Sequence, residues 1–457
     1  MRHQVTLIAL VAAGLVSLST AQNGSEGTGP REVSQAAARG WPDTTRGVHV
    51  FVDQLPAGMT DAQIRFAATH YAGTQKMLRA EADRLRAVSP AFLILHYRLG
   101  LGLGYRAPDP DCNPTGEFIA VIDGDRWVQE WPGDTAVREN WFFHWPAGSA
   151  SRVYSCDWGW YTAELDDPGW RRYWHDEVLR QIRANDADGA FMDSVSVPNY
   201  LGADRFKPSL PDVDESFESS WARRIADWLR WLQGQDLGSY LIVPNVGAWI
   251  NGRDATDYSG ADGLMVEGFA LEADASPLAF SDWQLQMDRC LGAIRAGQAL
   301  LAQTYIAGDQ ERMAALGSYL LVKGEHTFLA IETADEPEWW PEYDVPVGAP
   351  LGAPPATITD LDPDGDSIYR RDFENAVVLV NPTNPWDGSA VTRTIQLGRA
   401  LQQVQLSGGG VVGEDGTTDA AVTTTPATEV TLGPATAIVL LASPPPHRVR
   451  RHLRSDY

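Results

Sequence analysis

The chain has 457 residues, 44% hydrophobic and 21% charged, with a formal net charge of −24 at pH 7. That length allows one large domain and a smaller one. The negative balance argues against a nucleic-acid partner, which needs basic patches to neutralise phosphates.

In chain order, Arg2 and His3 precede the apolar run VTLIALVAAGLVSL, and Ser19 and Ala21 occupy the small-residue positions of a cleavage site. The pattern predicts a signal peptide over 1–21 and a secreted protein, extracellular or periplasmic. The apolar run is short for a bilayer crossing and no later run is longer, so no membrane span is expected. Residues 22–45, rich in Gly, Ser, Glu and Ala, read as a flexible lead-in.

Short apolar runs follow at 47–53, 64–71, 91–97, 189–193, 240–245, 263–267, 299–305 and 326–331, and each predicts a strand. Between them, apolar residues at helical spacing predict helices that include 74–88, 168–184, 220–235 and 281–296. The second opens on Asp166, Asp167 and Pro168, an acid suited to capping with Pro in the first turn. Strands interleaved with helices predict an α/β fold, a (β/α)8 TIM barrel over 46–335. The rival, an open doubly wound sheet, would carry a Gly-rich phosphate turn after its first strand, and VFVDQLPAGMT has none.

A long insertion, residues 100–167, interrupts the alternation after the third strand, and a connection of that length is usually functional. It holds Trp127, Trp131, Trp141, Trp145, Trp158 and Trp160. Indole faces suit sugar rings, but Trp at this density also builds a local core, so about two of them are expected to line a cleft. Asp157, Trp158 and Trp160, in SCDWGW, are candidate substrate contacts. Export permits disulfides. A Cys112–Cys156 bridge, leaving Cys290 as a buried thiol, is the expected pairing, although spacing does not fix connectivity.

Residues 336–357, rich in Pro and Gly, read as a linker. Beyond them, β-branched runs broken by Gly, Asn-Pro and Asp-Gly predict a small all-β sandwich over 358–443. The basic end, 444–457, is expected to be disordered. DLDPDGDS (360–367) resembles a calcium-loop fragment but lacks the following bidentate Glu, so it reads as a turn.

One pattern occurs twice. ADGAFMDSV (187–195) returns as ADGLMVEGF (261–269): Ala-Asp-Gly, three apolar residues, then a carboxylate. Asp193 would end strand four and Glu267 strand six, on the face where barrels carry active sites. Two carboxyls on one rim suit glycoside hydrolysis, which needs one group to protonate the leaving oxygen and another to attack or to activate water. A single buried acid would as readily cap a loop or pair with Arg. Asp53, His96 (with Tyr97) and Arg98, Asn245, Gln303 and Tyr305 stand at comparable strand ends and are candidate substrate contacts; Glu332 leaves strand eight on the same face. No cofactor and no metal are expected, since CxxC, HxH and HExxH spacings are all missing.

The paired motifs, the helix PGWRRYWHDEVLRQI and the later YRRDFENAVVLVNPT resemble glycoside hydrolase-like family 15, related to the α-galactosidase and polygalactosaminidase barrels. The resemblance spans roughly 45–443. It implies Asp193 as nucleophile and Glu267 as proton donor. The leading expectation is thus a secreted, retaining glycosidase of α-linked glycans, with carbohydrate as its partner and a monomer as its state. The alternative is a carbohydrate-binding barrel without catalysis.

Overall fold

The computed structural model describes residues 39–107, 111–119, 137–334 and 336–443. The expected signal peptide, most of the lead-in, Trp127, Trp131 and the basic tail lie outside these residues. The fold is mixed α/β. Its first part carries eight parallel strands: β1 (Val50–Val52), β2 (Tyr71–Gln75), β3 (Leu93–Leu99), β4 (Gly189–Asp193), β5 (Leu241–Pro244), β6 (Gly263–Glu267), β7 (Ala299–Tyr305) and β8 (Thr327–Glu332). Strands β1 to β5 form one parallel sheet in sequence order, and β6 to β8 another. The two meet on both sides. Asn245, just past β5, bridges in parallel to Met265 of β6, and the Leu329 N–H of β8 donates to the His49 carbonyl at 2.9 Å.

Helices α1 (Asp61–His70), α2 (Arg79–Val88), α3 (Pro168–Asn185), α4 (Glu215–Gln233), α5 (Phe280–Arg295) and α6 (Asp309–Val322) connect these strands. One expectation fails here. Residues 64–71 form a helix and not a strand up to His70, and β2 begins only at Tyr71. The cause is local: Thr60 and Gln63 cap each other reciprocally, with Asp61 in the first turn. Ile64, Ala67 and Ala68 then bury at helical spacing. The helix expected over 74–88 is correspondingly shortened to α2.

The repeated Ala-Asp-Gly has a structural basis. Asp188 accepts the Ile94 N–H, and Asp262 the Ile242 N–H, each at 2.8 Å. In both cases the Asp N–H returns a bond to the same isoleucine's carbonyl. The carboxylate thus satisfies a backbone donor where the neighbouring strand begins, a group that burial would otherwise orphan. Glycine follows because the next strand is too close for a side chain: a Cβ at Gly189 would lie 2.1 Å from the Leu241 carbonyl oxygen.

Inside the eight strands Phe51, Leu93, Leu95, Phe191, Val243, Met265, Ala299, Leu301 and Phe328 form a separate apolar cluster. Gly73 makes room for the Phe51 ring. Trp41 packs on Phe51 and Phe328, with ring centroids 6.1 and 5.7 Å apart, and so seals the end where the strands enter. Residues 39–45 of the expected flexible lead-in are therefore packed: Thr44 is fully buried, and Arg39 pairs with Asp188.

The expected linker is also a packing element. Glu338–Trp339 pairs with Gly410–Val411, and Trp339, Tyr343, Val345 and Val347 are buried. Next come β9 (Tyr369–Asp372), β10 (Ala376–Asn381), β11 (Arg393–Ser407), β12 (Ala421–Leu432) and β13 (Thr436–Leu441). They form one antiparallel sheet of order β9-β10-β13-β11-β12, where the sequence suggested a two-sheet sandwich. The long β11, irregular between Gln396 and Leu401, pairs with β12 along its length and with β13 in its second half, which joins all five strands. The sheet seats on α6, where Gly317 leaves space for Ala437 and Val380.

Within the insertion, Thr115–Ile119, Gly102–Ala107, Trp160–Thr162 and Tyr154–Ser155 form, in that order, an antiparallel sheet whose last strand pairs with Phe206–Lys207 from the loop after β4. Cys112 and Cys156 are disulfide-bonded, and Cys290 is a buried thiol on α5. Asp362 accepts the Asp366 and Ser367 N–H groups, so DLDPDGDS closes as a turn.

Gly189→Ala is expected to lower stability by about 1–3 kcal/mol through overpacking against β5. Gly263→Ala, whose Cβ would meet Ala299 Cβ at 3.0 Å, should cost less. Urea midpoints of the two variants check the order.

Candidate active site

A strand's side chains alternate between its two faces. The residues that share a face with the inner apolar cluster therefore continue, at the carboxyl ends, as Asp53, Gln75, Tyr97, Asp193, Asn245, Glu267, Gln303, Tyr305 and Glu332. Every one of the eight strands, or the residue following it, contributes. Hydrogen bonds join these groups into a continuous network.

Asp193 and Glu267 stand at its centre. One amide serves both: Asn245 Nδ2 donates to Asp193 Oδ1 at 2.9 Å and to Glu267 Oε2 at 2.7 Å. Those two carboxyl oxygens are then at most about 5.6 Å apart. Asn245 is itself oriented by the Gly247 N–H, which donates to its Oδ1 at 2.9 Å. The remaining bonds differentiate the acids. Asp193 also accepts from the Tyr97 hydroxyl and the Ser194 N–H, each at 2.7 Å. Three donors on two oxygens suit an acceptor-only carboxylate. Glu267 accepts from the Tyr305 hydroxyl at 2.7 Å. Burial, and then the charge of Asp193, push its pKa above the usual glutamate range, against the bonds from Asn245 and Tyr305.

The network continues to the other side of the rim. Gln303 Nε2 donates to Tyr305 at 3.2 Å and to Glu332 Oε2 at 2.7 Å. Glu332 Oε1 accepts the Asp53 N–H at 2.8 Å. Burial, and then the charge of Asp53, hold Glu332 well above the ordinary range. Asp53 accepts from Gln75 and forms an ion pair with Lys76 at 2.5 Å. Burial would lower the Lys76 pKa, but Asp53, with help from Asp193 and Glu332, raises it and keeps the ammonium charged. Its Nζ lies 5.1 Å from the Tyr97 ring centroid.

Two expected contacts are corrected. His96 and Arg98 lie on the opposite face of β3 from Tyr97, fully buried outside the inner cluster. His96 Nε2 pairs with Gln181 of α3 at 2.7 Å, and burial and Arg98 push its pKa down to about 3, so it is a neutral packing residue. The alternation of Leu93 and Leu95 already selects Tyr97. Lys76, in contrast, had no periodic signal, because it lies past the end of its strand. In the insertion, Asp157 pairs with Arg205 and is not bonded to the network. Trp141 and Trp160 are buried, Trp145 packs on Phe143 and Phe217, and Trp158 is exposed. The packed tryptophans anchor the insertion to its neighbours, Trp141 on Trp170 and Tyr173 of α3, Trp145 on Phe217 of α4 and Trp160 on Phe206, so Trp160 does not line an open cleft. Asp167 caps α3 through the Gly169 and Trp170 N–H groups.

A cavity of about 360 Å³ lined by Asp166, Arg171, His175 and Trp231 involves no network residue. Among the described residues no group of three or more His, Cys, Asp or Glu is placed to hold a metal, and no helix is long and apolar enough to cross a membrane.

A family model described as "Hypothetical glycosyl hydrolase family 15" matches residues 86–377. No curated protein matches the chain in sequence. Similar solved structures include a cycloisomaltooligosaccharide glucanotransferase from Paenibacillus sp., at 12% identity and a TM-score of 0.33, covering 90% of this chain and 56% of that one. The chain thus spans little more than half of that enzyme. A maltogenic α-amylase, AmyB, from Thermotoga neapolitana is 9% identical with a TM-score of 0.38, covering 87% and 99% of the two chains. An α-amylase from Geobacillus thermoleovorans is 10% identical with a TM-score of 0.31, covering 86% and 97%. At these scores the likenesses carry no weight for activity.

Asp193→Asn removes the neighbouring charge that raises Glu267, so the Glu267 carboxyl should ionise at lower pH than in wild type. Infrared titration of the protonated-carboxyl band reads this directly; an unmoved or upward transition contradicts the electrostatic pairing.

Proposed function

Because the chain belongs to hypothetical glycosyl hydrolase family 15, we propose that it is a secreted, retaining glycosidase of α-linked glycans. The observation that carries this reading is the Asn245 amide held between Asp193 and Glu267. In the first step the Asp193 carboxylate attacks the anomeric carbon. The glycosidic C–O bond breaks, and Glu267 gives its proton to the departing oxygen. In the second, the Glu267 carboxylate takes a proton from water as that water attacks the anomeric carbon. The bond to Asp193 breaks and the sugar leaves. A proton donor must still be protonated near working pH, and a buried carboxyl beside an anion meets that need. Asp53, Lys76, Tyr97, Gln303, Tyr305 and Glu332 then line the sugar site, offering donors and acceptors to its hydroxyls.

In this reading the eight strands close as a (β/α)8 barrel. The Asn245–Met265 bridge and the Leu329–His49 hydrogen bond support closure between β5 and β6 and between β8 and β1. The catalytic unit is assigned to 46–335 and the β unit to 358–443, with 336–357 packed between them. The leader at 1–21 and the Cys112–Cys156 bridge support export, since disulfides persist in oxidising compartments.

Hydrolysis of a polysaccharide and aryl-glycoside panel by wild type, Asp193→Asn and Glu267→Gln tests the assignment, with circular dichroism as a check on folding. Each variant should lose roughly 10²–10⁴-fold in kcat. Wild-type kcat/KM should fall as pH rises through the raised Glu267 pKa, because the general acid is then deprotonated. Product of the same anomeric configuration as substrate, read by NMR, indicates retention. Folded variants that keep full activity would remove the pair from catalysis, and glycan binding without turnover would favour a binding protein.

A further inference from the structure

Trp386, in the loop between β10 and β11, is 62% exposed. Exposing so large an apolar side chain is costly, and a lone surface indole would be free to fold down over its neighbours. This one is held in place while most of its surface stays exposed. Its Nε1–H donates to the Pro277 carbonyl at 3.2 Å. The fully buried Asn384 pins the same loop, with Nδ2 donating to the carbonyls of Pro277 and Leu278 at 2.9 and 3.0 Å. Asp387 accepts the Phe280 N–H at the start of α5, at 2.7 Å.

The segment that holds it is the loop leaving β6 immediately after Glu267. Four residues from Glu267 reach Leu271, at most about 14 Å of chain, and Leu271 bridges to Pro277. Tyr200, on the loop that follows Asp193, feels the charges of Glu272 from this second loop and of Asp282 from the first turn of α5. Asp282 in turn feels Asp387. The loop that follows Glu267 therefore meets the Trp386 loop on one stretch of rim.

We propose that Trp386 is the stacking platform of a remote glycan subsite, supplied by the C-terminal β unit and reached by a substrate chain a few sugar units from the bond that breaks. The proposal rests on the glycosidase reading above and adds a class of substrate to it: an extended, uncharged polysaccharide. An indole face binds the C–H face of a sugar ring, while Glu272, Asp274 and Asp282 offer acceptors to hydroxyls. The same carboxylates repel a polyuronate.

Affinity electrophoresis of wild type, Trp386→Ala and Trp386→Phe in gels holding α-glucan, galactomannan or polygalacturonate tests the subsite. It is paired with kcat/KM on the retarding polymer and on an aryl glycoside. Trp386→Ala should weaken binding of one neutral polymer about three- to tenfold, and should lower kcat/KM on that polymer more than on the aryl glycoside. Trp386→Phe should keep most of the affinity, and polygalacturonate should retard none of the proteins. Equal retardation of wild type and Trp386→Ala, with wild type active, overturns the subsite and leaves the glycosidase reading intact. Light scattering that shows a dimer lost on Trp386→Ala overturns it in favour of a contact between copies. A wild type that neither binds nor cleaves any glycan overturns both.

Discussion

Two half-buried carboxyls that share a single amide donor cannot both carry full charge without an electrostatic cost. Asp193 and Glu267 are in this position, and their surroundings decide which one yields. Asp193 has three donors, from Tyr97, Ser194 and Asn245. Glu267 has two, lies deep in the rim, and sits beside the Asp193 charge. Of the two, Glu267 is the carboxyl pushed toward its protonated form. On the reading proposed above, this asymmetry assigns Asp193 as nucleophile and Glu267 as proton donor.

The asymmetry depends on how the strands deliver side chains. The pleat places one residue in two on the inner face, and the inner face ends in polar groups because there the apolar cluster gives way to the rim. At the opposite end Trp41 closes the interior on Phe51 and Phe328. The Asp188 and Asp262 carboxylates fix where neighbouring strands begin. Each Asp-Gly thus sets a strand's register, and four residues after the Gly that register places a catalytic candidate on the rim. The same backbone constraint therefore explains both halves of the repeated motif.

Much of this was legible in the sequence. The repeat located Asp193 and Glu267, and strand ends located Asp53, Asn245, Gln303 and Tyr305 in the network. What escaped did so for identifiable reasons. A window centred on His96 does not reveal which neighbour faces inward until its register against Leu93 and Leu95 is applied, so the strand end alone puts His96 and Arg98 beside Tyr97. Lys76 lies beyond the last residue of β2 and carries no periodicity. Residues 64–70 contain enough apolar residues to mimic a strand, and only the Thr60–Gln63 cap distinguishes the helix. The single C-terminal sheet depends on one long strand changing partners, a non-local choice that alternation cannot show. Tryptophan density in the insertion signalled a core more than a cleft.

The most direct test of the paired-acid account is covalent labelling with a panel of cyclitol epoxides, followed by peptide mapping. Opening the epoxide needs a carboxylate to attack carbon and an acid to protonate the oxygen, so it calls on both residues in their assigned roles. The account predicts a single adduct on the peptide carrying Asp193, formed much more slowly in Glu267→Gln. An adduct on another carboxylate such as Asp53 or Glu332, or labelling of Asp193 at an unchanged rate in Glu267→Gln, would contradict it.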